Sequence, residues 1–270
     1  ERAGKAAALN AGLARARGDI IVFTDAAILL ERGSLRALVS PFADPEVGCV
    51  SGEDLVEGGG NEGLYGRLEL LLRREEAALH SIAGASGCYY AQRRELCRPF
   101  IAGMAPDFLS VLVTVTAGRR ALAEPSARGF MTATSSQRNE FQRKVRTFLR
   151  GMTALAGNAR LLVPLRSPAF SFILWSHKAM RWLAPVFMIS ALVCAWALRH
   201  EWPYGALLVA QLVAYAAATC ALLWEPLAQR FMPARFAGFF LLVNLAALLA
   251  FVQWLAGRRV EVWQPTARPG

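Results

Sequence analysis

Asp25 closes the run Gly18-Asp19-Ile20-Ile21-Val22-Phe23-Thr24-Asp25, in which four apolar residues lead straight into Thr24 and a carboxylate. An unbroken apolar run of this kind reads as a strand buried on both faces. The carboxyl ends of such strands are where open α/β sheets bind ligands. A carboxylate there can hold a divalent cation, and the cation a diphosphate. Taken alone, Asp25 reads equally well as a loop residue capping the next helix. Upstream, Gly4-Lys5 opens a segment that runs to Arg17 and places Ala8, Leu9, Gly12, Leu13 and Ala16 on one helical face. Free backbone N–H groups and an ammonium at a helix start form a seat for phosphate, although a lysine in a first turn is more often simply solvated. Asp107 directly precedes the apolar stretch Phe108 to Thr116. An aspartate in that place caps its helix or, if it faces a cleft, takes a proton from a substrate.

The elements that must position these groups follow the chain. The strand to Asp25 is followed by a helix across Ser34 to Val39 that ends at Pro41, a turn at Asp44-Pro45-Glu46 and a second buried strand, Val47 to Gly52. Gly58-Gly59-Gly60 reads as a flexible loop, and Leu64 to Ile82 as a long helix with its charges on one side. The small-residue loop Gly84-Ala85-Ser86-Gly87 leads into a short strand, Cys88 to Ala91, and Arg93 starts another helix. After the helix that ends at Gly118 comes a strand from Arg119 to Ala123, closed by Glu124-Pro125. Strands alternating with helices argue for an α/β domain with a mainly parallel sheet. Such a domain needs strands before Glu1, so the chain is expected to be a fragment lacking the first βαβ portion.

The chain has 270 residues, a net charge of +10 and a hydrophobic fraction of 55%, a size that allows one or two domains. Most acidic residues precede Pro168, and long runs with almost no charge follow it. A soluble half followed by a membrane half accounts for both the high pI and the positive mean hydropathy. Nucleic-acid binding is the other common reading of a basic chain. It is set aside because Arg and Lys crowd the boundary from Arg138 to Arg181 without any nucleic-acid motif. Cys49, Cys88, Cys97, Cys194 and Cys220 show no CxxC spacing and read as free thiols in a reducing compartment. His80, His177 and His200 form no HExxH pattern, so no zinc site is expected.

In the apolar half, Leu183 to Leu198, Tyr204 to Trp224 and Phe236 to Leu255 are nearly free of charge. The latter two approach the ~20 residues that span a bilayer. Phe170 to Trp182, with His177, Lys178 and Arg181 among Phe172, Ile173, Trp175 and Trp182, reads as an amphipathic helix lying at the interface. Three spans put Arg258, Arg259 and Arg268 across the membrane from a cytosolic domain, against the positive-inside tendency. A re-entrant or doubly crossing 168–198 segment would remove that conflict, and the topology stays open.

The stretches Arg2 to Asn10, Phe23-Thr24-Asp25-Ala26, Phe42 to Gly48 and Tyr90 to Leu96 resemble the membrane-bound family 2 glycosyltransferases, the relatives of cellulose, hyaluronan and poly-N-acetylglucosamine synthases. The resemblance continues through Asp107-Phe108, Glu140 to Arg146 and Ser176-His177-Lys178 to the tail Trp263 to Arg268. It implies a GT-A fold for residues 1–165, an interfacial helix plus about three transmembrane helices over 168–257, and a polar tail at 258–270. It also implies a nucleotide-sugar donor, UDP-linked by expectation, Mg²⁺ or Mn²⁺, and inversion at the anomeric carbon by single displacement.

By the same resemblance, Gly4 and Lys5 lie near the donor diphosphate, and Asp25 is the first acid of the metal-binding DxD. Asp107 is the general base, with Gly118 at the family's distance beyond it. Gln142 or Arg143, with Arg146, matches the QxxRW region that flanks the acceptor. Ala27 stands where the second DxD acid belongs, Pro106 replaces the acid before the base, and Thr147 stands in place of the motif's Trp. The chemistry asks for such parts in any case. Expelling a nucleoside diphosphate needs charge neutralised at the leaving phosphate, and the incoming hydroxyl needs a carboxylate to take its proton. The expected partners are therefore a nucleotide-sugar donor, a glycan or lipid-linked acceptor and the bilayer, with no nucleic acid. The expected location is the bacterial inner membrane with the catalytic domain in the cytosol. A catalytically degenerate relative acting as a binding or partner subunit is the alternative.

Overall fold

The computed structural model describes residues 4–57, 61–132, 137–165, 167–224 and 230–260. The glycine run 58–60 and the tail motif 263–268 lie outside them. The chain forms two compact units, one of residues 1–135, 150–178 and 258–270, the other of residues 136–149 and 179–257.

In the first unit the apolar run before Asp25 is strand β1 (Ile20–Thr24), with Ile21 and Phe23 buried and Ile20 and Val22 half-buried. Strands β2 (Leu29–Leu30), β3 (Val47–Glu57), β4 (Tyr89–Arg93) and β5 (Arg120–Thr132) complete a five-stranded sheet in the order β1-β4-β3-β5-β2. The sheet is mixed rather than mainly parallel. Only β3 and β5 run parallel, while β4 is antiparallel to both its neighbours and β2 is antiparallel to β5. The reversal has a local cause. After helix α3 (Asn61–Leu79), the chain pairs Ile82 N–H with the Ala121 carbonyl, and Cys88 then accepts a bond from the Asp25 amide. Strand β4 thus starts beside the carboxyl end of β1 and can only run back along it. Arg93, expected to start a helix, instead closes β4, and only a short 3₁₀ turn (Arg94–Leu96) follows.

Strand β5 does not stop at Glu124-Pro125. Ser51 faces Ala123 and Glu53 faces Arg128, so Glu124 to Ala127 bulge out of the ladder before pairing resumes as far as Thr132. Proline has no N–H to give a ladder and is tolerated in such a bulge. Beside the bulge, a Cβ on Gly52 would lie 2.4 Å from the Tyr89 ring and 2.8 Å from the Ala127 carbonyl oxygen. Leu38, Phe42, Val47, Val50, Tyr89, Ala91 and Ala127 pack into the core beneath it. Leu38 comes from helix α2 (Ser34–Val39), which passes before Pro41 into a 3₁₀ turn that seats Phe42. Helix α1 (Gly4–Arg15) is tied across the domain by Asn10, whose side chain exchanges two hydrogen bonds with the Phe100 backbone. Helix α4 (Pro106–Thr116) is buried except at Asp107, Val113 and Thr116.

Helix α5 (Gln137–Gly157) contains the basic stretch Glu140 to Arg150, and beyond it the segment expected to lie separately at the interface is part of one helix from Pro168 to Ala197. Its first part, α6 (Pro168–Ile173), passes through a π-helical turn (Leu174–Ala179) into α7 (Met180–Ala197) without a break. With α8 (Tyr204–Leu223) and α9 (Met232–Leu255), three helices are long and apolar enough to cross a membrane. In the second unit, α8 and α9 meet through small residues. Ala218, Ala221, Ala246, Ala247 and Ala250 are buried, and a Cβ on Gly238 would meet the backbone nitrogen of Leu222 at 3.2 Å. Close backbone approach through small residues is how helices associate where lipid removes the hydrophobic drive. Polar side chains on these helices find partners within the helices: Asn244 donates to Phe240 O on its own helix, and Gln211 donates to Tyr215 Oη on its own helix and across to Met188 O of α7.

Gly52→Ala should lower the unfolding temperature sharply, since overpacking a closed site costs about 1–3 kcal/mol. Gly12→Ala, on α1 with nothing within 4 Å of the new methyl, should raise it slightly by improving helix propensity, about 0.5–1 kcal/mol. Thermal unfolding of the two variants in the same detergent checks the pair.

Candidate active site

Gly4 begins α1 with φ 82°, a left-handed conformation that lets the chain turn directly into the helix at Lys5. The Lys5 ammonium lies 2.6 Å from Asp25 Oδ1 and donates a second hydrogen bond, 2.9 Å long, to the Gly87 carbonyl. The side chains of Lys5 and Asp25 are 36% and 37% exposed. An ion pair that open adds at most ~1 kcal/mol to stability, so its place in the molecule is not explained by holding the fold together. Leu9, Phe23, Thr24, Gly87, Tyr90, Pro106 and Asp107 line the same cleft. Residues 5, 25 and 107, distant in sequence, are thus brought together by the start of α1, the end of β1 and the start of α4.

Asp107 does not cap α4. The cap position is Ala105, Pro106 is the first helical residue and Asp107 sits in the first turn. A Cβ on Gly87 would stand 3.9 Å from Asp107 Oδ2, so this glycine gives its carbonyl to Lys5 while its bare Cα lies against the carboxyl group. Burial raises the pKa of Asp107; Lys5, its own backbone N–H, Lys178 and Arg73 pull the other way. A carboxyl with that balance holds a proton more readily than an exposed aspartate does. Cys88, beside Asp25, is not a nucleophile: burial, with the charges of Asp54 and Asp25, pushes its thiol up to about 12.

Helix α5 carries Gln142, Arg143 and Arg146 in the second unit. Arg143 and Lys144 both turn to Glu140, at 2.7 and 3.4 Å, so part of the basic face is neutralised on its own helix. Sequence reasoning missed Gly87 and Tyr90 as lining residues and the cations Arg73 and Lys178 around Asp107. Gly87 stood out only as part of a small-residue loop, and nothing local indicates that its carbonyl receives Lys5.

No group of three or more His, Cys, Asp or Glu side chains that could hold a metal occurs among the described residues. Asp25 alone of the DxD pair offers a hard oxygen to the cleft, and Ala27 offers none. One carboxylate fits a divalent cation whose remaining ligands are phosphate oxygens and water.

The fold and the cleft together define a GT-A domain, the α/β architecture that binds nucleotide sugars, followed by apolar helices. Residues 1–98 match the family model described as glycosyl transferase family 2. No curated protein matches the chain. Among solved structures it is similar to the mannosyltransferase PcManGT from Pyrobaculum calidifontis in complex with GDP-Man and Mn²⁺, at 24% identity and a TM-score of 0.69, over 96% of this chain and 68% of that one. It also matches glucosyl-3-phosphoglycerate synthase from Mycobacterium tuberculosis in complex with phosphoglyceric acid, at 20% identity and a TM-score of 0.38, over 58% of this chain and 55% of that one.

The raised pKa of Asp107 has a stability consequence with a definite sign. The folded state holds this proton more tightly than the unfolded chain, so stability falls as pH rises from about 3.9 through the folded value. Asp107→Asn removes that loss and keeps the shape. It should therefore raise the unfolding temperature, more at pH 8 than at pH 5, where a capping aspartate would give no gain at either pH.

Proposed function

We propose that this protein is a membrane-bound, inverting glycosyltransferase that moves a sugar from a nucleoside-diphosphate donor, UDP-linked by expectation, to a growing glycan or glycolipid. Residues 1–165 form its transferase domain, residues 168–257 its membrane region and residues 258–270 a polar tail. It sits in a bacterial inner membrane with the transferase domain in the cytosol. The observation that carries the reading is the meeting of Lys5, Asp25 and Asp107 around one cleft.

Asp107 takes the proton of the acceptor hydroxyl as its oxygen bonds to the anomeric carbon. The bond from that carbon to the diphosphate breaks on the opposite face, inverting the centre. The charge that develops on the diphosphate is met by the Lys5 ammonium and by the free N–H groups at the start of α1. Mg²⁺ or Mn²⁺, held by Asp25 and the donor phosphates, would supply further charge neutralisation there; the Mn²⁺ in the mannosyltransferase complex of the same fold supports this. Gln142, Arg143 and Arg146 contact the acceptor or the donor flank. A second reading, a subunit that binds donor without turnover, draws on Ala27 and Pro106, which remove two acids from the expected set.

Release of nucleoside diphosphate from UDP-glucose, UDP-N-acetylglucosamine and GDP-mannose with Mn²⁺ and a membrane extract as acceptor source separates the two readings. Turnover that Asp107→Asn cuts by ~10²–10⁴-fold, with UDP or GDP binding by calorimetry unchanged, is the expected result. Asp25→Asn should instead weaken nucleotide binding and abolish its dependence on Mn²⁺. Binding of donor by the wild type with no turnover of any sugar would favour the second reading.

A further inference from the structure

The π-helical turn Leu174–Ala179 carries a histidine gripped from two sides. His177 Nε2 lies 3.3 Å from Glu69 Oε2, and its Nδ1 bonds Glu76 Oε1, both carboxylates belonging to α3. The Glu76 side chain is buried, and its second oxygen accepts a 2.8 Å hydrogen bond from the Ala83 amide. One carboxylate therefore ties the π-turn to the loop that runs from Ala83 to Gly87. That loop is fixed further along, where the Ser86 amide donates to Ser51 Oγ and Ser86 Oγ accepts from the amides of Cys88 and Tyr89.

The residue after His177 reaches the same loop. A Cβ on Gly84 would lie 3.4 Å from Lys178 Nζ, and the ammonium sits over the Phe108 ring, 5.7 Å from its centroid. Gly84 and Gly87, three residues apart, thus lie against Lys178 and against the Asp107 carboxyl respectively. The missing methyl at Gly84 leaves room for the ammonium. The helix is long enough to keep this cluster out of the bilayer. It has 30 residues where about 20 span the hydrocarbon, and residues up to Lys178 belong to the first unit.

We propose that Lys178 is a positioning residue of the reaction centre, delivered to the Asp107 side of the cleft by the clamp of His177 between Glu69 and Glu76. The role given to Asp107 above is the reading on which this rests. An ammonium fixed there favours the ionised carboxylate, the form able to take a proton, without touching substrate. A helix turn with wider spacing than the α-helix is what lets neighbouring His177 and Lys178 serve these two ends. Burial opposes ionisation of Glu69, but the hydrogen bond from His177 and the charges of Lys178, His177 and Arg73 hold its pKa down at about 2, so the clamp keeps a carboxylate on this side across the physiological range. The other charged or titratable groups that act on Asp107 are Lys5 of α1, Arg73 of α3, Arg150 of α5, Tyr90 of β4 and Cys49 of β3.

The test reads the proton on Asp107 directly and needs no donor. The full chain in detergent is labelled with a water-soluble carbodiimide and glycine ethyl ester from pH 4 to 8. Peptide mass spectrometry then gives labelling at Asp107 relative to exposed Glu46. Lys178→Met should move the Asp107 midpoint up by about one pH unit, and Lys178→Arg should leave it near the wild-type position. Glu69→Gln separates field from geometry by sign. Removing a nearby negative charge lowers the midpoint if it acts through the field alone, whereas loosening the clamp withdraws Lys178 and raises it. An upward shift in Glu69→Gln supports the clamp; no shift or a downward one overturns it. An unmoved midpoint in Lys178→Met, with unfolding temperature near wild type, overturns the role of Lys178. Should Lys178→Met fail to fold, Glu69→Gln decides alone. A wild type without turnover but with the expected shifts would leave this coupling standing and remove only the catalytic reading of Asp107.

Discussion

A carboxyl group partly withdrawn from water constrains the charges placed around it. Burial favours the neutral acid, while fixed positive charge and hydrogen bonds to the carboxylate favour the anion. Around Asp107 that charge comes from separate parts of the first unit: Lys5 at the start of α1, Arg73 midway along α3 and Lys178 at the end of the π-turn. Each has its own tether. Lys5 is held by Asp25 and the Gly87 carbonyl, Arg73 lies 3.7 Å from Asp54, and Lys178 follows a histidine locked to α3. The glycines of the loop before β4 let these groups approach one another. The antiparallel course of β4 serves the same end, since it starts the strand beside Asp25 and sets that loop at the mouth of the cleft.

The parts of this arrangement that were legible in the sequence are those written in local pattern. The apolar run ending in Asp25 is a strand, Gly4-Lys5 does open a helix, and the stretch after Asp107 is a buried helix, because each is encoded within a dozen residues by periodicity and caps. The direction of β4 was not legible. Tyr89 to Arg93 has the same alternation whichever way it runs, and only the hydrogen bonds of Ile82 and Cys88 to distant strands decide it. The continuation of β5 past Pro125 was hidden for a related reason, since a proline reads as a stop unless the bulge that holds it is known. At the site, Lys5 and Asp25 could be named but not paired. His177 reads as part of an interfacial helix and residues 64–82 as a helix with its charges on one side, and only the contacts of His177 with Glu69 and Glu76 join the two.

The second unit follows a simpler rule. Its helices α7, α8 and α9 leave Phe187, Val193, Leu207, Val213, Phe240 and Val252 exposed while burying alanines and a glycine against one another. In water that division would be inverted, because large apolar side chains gain most from burial. With lipid as the solvent it is the expected one, small residues inward for close backbone contact and bulky ones outward. The first unit shows the aqueous rule instead, with Tyr89, Leu38, Leu112 and Val50 fully buried.

The π-turn between Leu174 and Ala179 marks where the two rules change over, and it has an effect on phase. A turn closed over five residues instead of four takes in one extra residue, and each residue of a helix advances the side chains by about 100°. The turn from Leu174 to Ala179 therefore carries one residue more than an α-helical turn would. Upstream of it, Phe170, Ile173 and Leu174 are buried while Phe172 and Trp175 face outward; downstream, the outward set begins again from Met180. A deletion of a single residue inside this turn would restore α-geometry there.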